Sequence, residues 1–174
     1  MEQTLRNLGR ILRAVPEDAT LALERKLVEC RRVFVYGLGR SGLIARTFGM
    51  RLVHLGRDAT IVGDTTTPAV RAGDLLVVCS RTGMSPILRH AVGLAHGQGA
   101  SAVTIVGDTG TPLAAEADLV VRLPLEAAEE ADEQPMGSLF EQALLLYLDS
   151  VVLRLMARLE KSAGEMERVH SNLP

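Results

Sequence analysis

The chain is poor in aromatic residues and has no run of basic ones. Of its 174 residues, 3% are aromatic and none is tryptophan, whereas 47% are hydrophobic, so its core must consist of aliphatic side chains. So few rings offer no platform on which nucleic-acid bases could stack. Because the net charge is also only -2, no nucleic acid or other polyanion is expected as a partner.

Cysteines are also few, and no stretch is apolar enough for a membrane. Cys30 and Cys79 both adjoin apolar runs, and two isolated thiols without a secretory leader predict a reduced, cytoplasmic protein. No apolar stretch approaches the ~20 residues of a membrane span, so no membrane partner is expected. His54, His90 and His96 do not group with cysteines or acids at ligand spacing, so no metal site is expected.

What the sequence does contain is an alternation of short apolar runs and amphipathic stretches. Residues 1–32 are predicted to be helical, with an interruption at Pro16 and Asp18 as the cap of the second helix. Five strands are predicted at 33–36, 59–62, 74–79, 102–106 and 119–123, with helices between them. A long apolar helix at 137–160 and a polar tail at 161–174 complete what we expect to be a single domain.

The fold class follows from the character of these strands. They are continuous apolar runs, which is typical of a parallel sheet that helices cover on both faces. We therefore predict an α/β fold, a doubly wound five-stranded parallel sheet flanked by helices as a three-layer sandwich, with ligands at the carboxyl ends of its strands. The loop 124–136 is interpreted as a solvated surface loop rather than a cation site. It carries five acids and no base: Glu126, Glu129, Glu130, Asp132 and Glu133.

The most informative local feature is a glycine turn at Gly37–Gly42, between the first strand and a helix. Its three glycines match a loose dinucleotide-binding fingerprint, and Asp64 stands where such a site needs an acid for the ribose. However, Arg40 and Ser41 occupy the turn in which a pyrophosphate needs room. The turn alone therefore leaves both a nucleotide and a smaller phosphate open.

A second loop of similar type, Ser80–Ser85, follows the third predicted strand. It contains three hydroxyl side chains at the start of a helix, and hydroxyls with helix-start amides suit a phosphate monoester. The alternative is that Ser80 and Ser85 only cap the helix. Two hydroxyl loops after adjacent strands favour a small phosphorylated ligand.

Two further residues are candidates for chemistry. Glu141 lies at the start of the long apolar helix, where loss of solvation favours a protonated carboxyl and suits a general base. The alternative is a first-turn acid that only stabilises the helix dipole. His170 stands in the tail, where an isolated histidine is usually exposed to solvent.

Together these stretches resemble the sugar-isomerase (SIS) domain family, and within it the 6-phospho-3-hexuloisomerases. The resemblance covers nearly the whole chain from Val33. The matching stretches are Gly37–Gly42 with Met50–Gly56, Val62–Pro68, Gln134–Glu141 and the tail His170–Leu173.

The resemblance implies a homotetramer that interconverts D-arabino-hex-3-ulose 6-phosphate and fructose 6-phosphate without a metal or an organic cofactor. Glu141 matches the proton acceptor, and His170 matches a tail residue that reaches an active site, expected to be that of a neighbouring subunit. The residues expected to bind the sugar phosphate are Arg40, Ser41, Thr67, Ser80, Arg81, Thr82, Gly83, Met84 and Ser85. For Arg40, a position facing a neighbouring subunit is the alternative that stays open.

One departure from the family pattern lies in the second loop, where Arg81 replaces a glycine and Met84 an often polar residue. A side chain at Arg81 is strained if the position needs a positive φ, whereas its guanidinium would otherwise add a phosphate contact. Two alternatives stay open on the same fold. One is an isomerase of an aldose such as arabinose 5-phosphate, and the other is a sugar-phosphate-binding module that needs no carboxylate at position 141.

Overall fold

The computed structural model describes residues 1–128 and 134–172 of the chain. The helices that it contains are α1 (Glu2–Arg13), α2 (Glu17–Glu29), α3 (Gly39–His54), α4 (Pro86–Gly97), α5 (Pro112–Ala115), α6 (Ser138–Arg158) and α7 (Ala163–Val169). The strands are β1 (Val33–Gly37), β2 (Ala59–Ile61), β3 (Leu75–Ser80), β4 (Ser101–Val106) and β5 (Leu119–Arg122). Two short 3₁₀ turns, Leu125–Ala127 and Pro135–Gly137, precede α6.

The five strands form one parallel sheet in the order β2-β1-β3-β4-β5, which confirms the predicted fold class. In its register Gly37 of β1 pairs with Cys79 of β3, so the two strands end side by side. The chain passes from β1 to β2 on one side of β1 and then crosses to β3 on its other side. The boundary between β1 and β3 is therefore the topological switch point of the sheet. In open sheets of this kind, ligands bind outside the carboxyl ends of the strands at such a point.

Helices cover both faces of the sheet, and each strand contributes alternate side chains to the two cores. Val33 and Val35 of β1 enter the larger core with α1, α2, α3 and α6, whereas Phe34 enters the smaller one with α4 and α5. Because both faces are buried, every residue of β3 is buried. This double burial is why the strands are continuous apolar runs in the sequence.

Helix α6 is the longest helix that the structure describes, with 21 residues. One stripe of it is buried in the larger core, while Leu145, Leu146 and Leu153 lie exposed on the other side. None of the helices in the described ranges is long and apolar enough to cross a membrane.

Two local expectations were wrong. Asp18 does not cap α2, because the helix begins one residue earlier with Pro16 at its N-cap position. The polar tail contains α7, which was not predicted although its sequence carries a capping box, Ser162 with Glu165 three residues on. Hydrogen bonds from the backbone and hydroxyl of Ser162, aided by Lys161, lower the pKa of Glu165 to about 2.

The structure describes only part of the acidic loop, residues 124–128 and 134–136. Glu126 lies within the first 3₁₀ turn and pairs with Arg122, with 2.6 Å between the nitrogen and the oxygen. The other four acids, Glu129, Glu130, Asp132 and Glu133, lie outside the described residues.

Candidate active site

The glycines of the first turn let α3 begin directly against β1. A Cβ on Gly37 would lie 2.9 Å from the Cα of Gly42, and one on Gly42 would collide with the carbonyl of Gly37. Gly39 has a φ of +55°, in the left-handed region that glycine adopts without strain. The glycine spacing thus allows close packing and a tight turn. Ser41 is buried in the first turn of α3, next to the end of β1.

The acid expected for a dinucleotide site is engaged elsewhere. Asp64 forms an ion pair with Arg46 of α3, with 2.7 Å between Oδ1 and Nη2. Its carboxylate therefore neutralises a surface arginine, which removes the support that the spacing gave to a ribose contact.

The second loop uses its hydroxyl oxygens to order its own backbone. The Ser80 oxygen accepts a hydrogen bond from the N–H of Gly83 at 3.2 Å, and Ser85 caps α4 by accepting from the N–H of Leu88 at 3.5 Å. Thr82 accepts from the N–H of Met84 at 3.5 Å. A hydroxyl that accepts in this way keeps its own O–H for donation. Capping and ligand binding are therefore compatible in this loop.

A cavity of about 220 Å³ opens between the two loops and the start of α6. It brings together six of the predicted site residues: Ser41, Ser80, Arg81, Thr82, Ser85 and Glu141. Leu38, Cys79 and Leu88 also line it and were not predicted as site residues. Their only sequence signal was their position at a strand end or in the first turn of a helix. Burial raises the pKa of the Cys79 thiol to about 12, so this group faces the cavity uncharged.

Glu141 is almost buried, and its charge is balanced by Arg40. The Glu141 side chain is 10% exposed, and its Oε2 accepts a hydrogen bond from the Nε of Arg40. Arg40 projects from the first turn of α3 and is 64% exposed. The pair joins two helices whose starting points are 99 residues apart, Gly39 and Ser138.

Arg81 has an ordinary backbone conformation, because the positive φ of this loop falls at Gly83 (+61°). The strain that a positive φ would have caused at Arg81 therefore does not arise. Its side chain runs across Gly137 so closely that a Cβ on Gly137 would collide with it. Within residues 1–128 and 134–172, no carboxylate forms an ion pair with Arg81. Met84 is 60% exposed and does not line the cavity.

The structure does not bring Thr67 into the cavity. Its hydroxyl lies within 2.7 Å of the carbonyl oxygen of Ile61 and within 2.6 Å of that of Asp64, so it closes the turn after β2. The Thr67 side chain borders a separate apolar cavity beside α4. Its assignment to substrate binding stays a prediction without support from this geometry.

His170 lies far from Glu141 of the same chain. It follows α7, and its ring centroid is 5.3 Å from that of His54 at the end of α3. Burial, with the charges of Arg51 and His170, lowers the pKa of His54. Because Arg40 and His54 stand at opposite ends of α3, the two sites are about 20 Å apart along that helix.

Comparison with known proteins gives the family. The sequence profile of the SIS domain matches residues 26–152. The chain is 36% identical over 152 residues to a 3-hexulose-6-phosphate isomerase of Bacillus subtilis, covering 84% of this chain and 82% of that protein. It is 39% identical over 165 residues to a 3-hexulose-6-phosphate isomerase of Mycobacterium gastri, covering 91% and 82%.

A solved structure agrees with these relatives. A Methanococcus jannaschii protein, whose crystal structure was taken to infer a function of 3-hexulose-6-phosphate isomerase, superposes with a TM-score of 0.88 at 29% identity. The match covers 99% of this chain and 98% of that one. The chain belongs to the SIS domain family.

Proposed function

We propose that the protein is a sugar-phosphate isomerase that interconverts D-arabino-hex-3-ulose 6-phosphate and fructose 6-phosphate. The observation that carries this proposal is the cavity at the switch point, where one nearly buried carboxylate, Glu141, faces a wall of hydroxyl side chains. Moving a carbonyl between neighbouring carbons needs one base, and holding a phosphate ester needs several donors. Relatives that carry the name of this activity at 36% and 39% identity support the choice of substrate.

The phosphate binds against the second loop in this proposal. Ser80, Thr82 and Ser85 keep hydroxyl hydrogens for its oxygens, and Ser41 faces them from α3. The guanidinium of Arg81 adds a cation to this wall, since no carboxylate of the described residues neutralises it. These contacts hold the end of the sugar that does not react and so fix its carbon chain against Glu141.

The chemistry runs through a 2,3-enediol. Starting from the hexulose, the Glu141 carboxylate removes the proton on C2, and the electron pair forms the C2–C3 double bond while the C3 carbonyl oxygen becomes an alkoxide. A proton passes between the two oxygens, and the protonated carboxyl then returns its proton to C3, which leaves the carbonyl at C2 of fructose 6-phosphate. One base serves both steps because C2 and C3 are adjacent. The developing oxyanion requires a donor such as a hydroxyl of the cavity wall.

Other parts of the expected function stay predictions. They are the homotetramer, the cytoplasmic location, the contact of Thr67 with substrate and the action of His170 in the site of a neighbouring subunit. A module that only binds a sugar phosphate remains the competing function, because a fold does not by itself imply catalysis. The almost buried Glu141 speaks against it, because binding alone gives no reason to place a carboxylate near an anionic phosphate.

Hydrogen exchange in deuterated water tests the proposal. Fructose 6-phosphate is incubated with the protein in D₂O and followed by NMR, and deuterium is expected at C3. Exchange with arabinose 5-phosphate but not with fructose 6-phosphate would indicate an aldose isomerase instead. Saturable binding of fructose 6-phosphate without exchange at any carbon would indicate the binding module.

A further inference from the structure

We propose that Arg40 is the positioning residue and counter-ion of Glu141, and that it does not bind the substrate. This inference rests on the proposed function, in which Glu141 is the base. Arg40 does not line the cavity, yet its Nε donates to Oε2 of Glu141 from the neighbouring helix. Its role is therefore to hold the carboxylate in one orientation and to place an opposite charge beside it.

The burial of Glu141 shows why a counter-ion is needed. The Glu141 side chain is 10% exposed, and burying a carboxylate charge is unfavourable unless an opposite charge or hydrogen-bond donors lie beside it. The other titratable groups that face this cavity are Cys79, which is uncharged, and Arg81, which leans on Gly137 and forms no ion pair with Glu141. Among the described residues, Arg40 is therefore the charged group that contacts the Glu141 carboxylate.

The contact also distinguishes the two oxygens of the base. Arg40 holds Oε2, and no other side-chain hydrogen bond to Glu141 occurs within the described part of the chain. Oε1 is thus the oxygen that stays available to the carbon-bound proton. Arginine suits this task because its planar guanidinium fixes the direction of the Nε–H bond, whereas a lysine ammonium supplies charge without that direction.

The split between kcat and KM is the measurement that separates this role from substrate binding. In R40A kcat is expected to fall about tenfold or more while KM for fructose 6-phosphate stays within about two-fold, because the base loses its orientation but the substrate loses no contact. R40K is expected to restore only part of kcat, since it restores the charge but not the direction of the Nε–H bond. R46A is the matched control, because Arg46 lies on the same helix in an ion pair with Asp64 outside the cavity. It is expected to leave both quantities unchanged.

A second measurement does not depend on catalysis. The affinity for fructose 6-phosphate, measured by calorimetry, is expected to stay within about two-fold of wild type in R40A, because Arg40 makes no contact with the sugar in this proposal. If wild type shows no hydrogen exchange, the proposed function fails, but this affinity still decides whether Arg40 binds the sugar. A raised KM and a weakened affinity with an unchanged kcat would show that Arg40 binds substrate and would overturn the inference. R40Q replaces R40A in both measurements if the alanine variant does not fold.

Discussion

At the scale of single residues, the site depends on an almost buried carboxylate beside an exposed guanidinium. The sequence named both Glu141 and Arg40 as site residues but assigned Arg40 to the substrate. Their hydrogen bond crosses 101 positions of sequence, and no local pattern encodes such a contact. The alternative role of Glu141, a first-turn acid on the helix dipole, does not require the guanidinium that the fold places on it.

Replacing the carboxylate by an amide tests Glu141 directly. E141Q keeps the shape of the side chain and removes the proposed base, so exchange at C3 is expected to fall by about 10²–10⁴-fold. The affinity for fructose 6-phosphate, measured by calorimetry, is expected to stay within a few-fold. E126Q serves as the control, because Glu126 forms an exposed ion pair with Arg122. Wild-type turnover in E141Q would remove Glu141 from the mechanism.

At the scale of elements, the turn before α6 fixes where Glu141 stands. Met136 and Gly137 both have positive φ values, 56° and 85°, and the side chain of Arg81 lies across Gly137. The turn therefore joins the second loop to the start of α6. The sequence shows the run Pro-Met-Gly here, but only the fold reveals that the Arg81 side chain packs against it.

A methyl group at this glycine is expected to destabilise the protein. G137A combines a left-handed backbone with a collision against Arg81, so the free energy of unfolding should fall by roughly 1–2 kcal/mol. Chemical denaturation measures this change. G93A is the matched control, since Gly93 lies inside α4 with open space at its Cβ position, and helix propensity favours alanine there. Equal stability of G137A and wild type would contradict this account of the turn.

At the scale of the whole molecule, the position of His170 bears on the predicted sharing of a site between subunits. The His170 ring contacts His54, whereas Glu141 contacts the other end of α3. A single chain therefore does not bring the two predicted catalytic residues together. If both act on one substrate, they come from different subunits, and the exposed leucines of α6 offer apolar surface for an assembly.

Mixed oligomers test this arrangement. E141Q and H170A subunits are unfolded together and refolded at equal amounts, and each variant refolded alone is the control. About a quarter of the sites then combine an intact Glu141 with an intact His170 from a neighbour, so about a quarter of wild-type exchange should return. Mixed oligomers that show no activity above the two controls would contradict a shared site.

The sequence by itself determined the strands, the fold class and most of the residues around the cavity. It could do so because double burial makes parallel strands continuously apolar and because turns and caps need particular residue types at particular spacings. The tail helix α7 could also have been predicted from the sequence, since its capping box is a local signal. Only the tertiary structure decided that Arg40 pairs with Glu141, that Arg81 rests on Gly137 and that Thr67 and His170 lie away from the cavity. Those outcomes depend on contacts between elements distant in the chain, which the packing of the whole fold establishes.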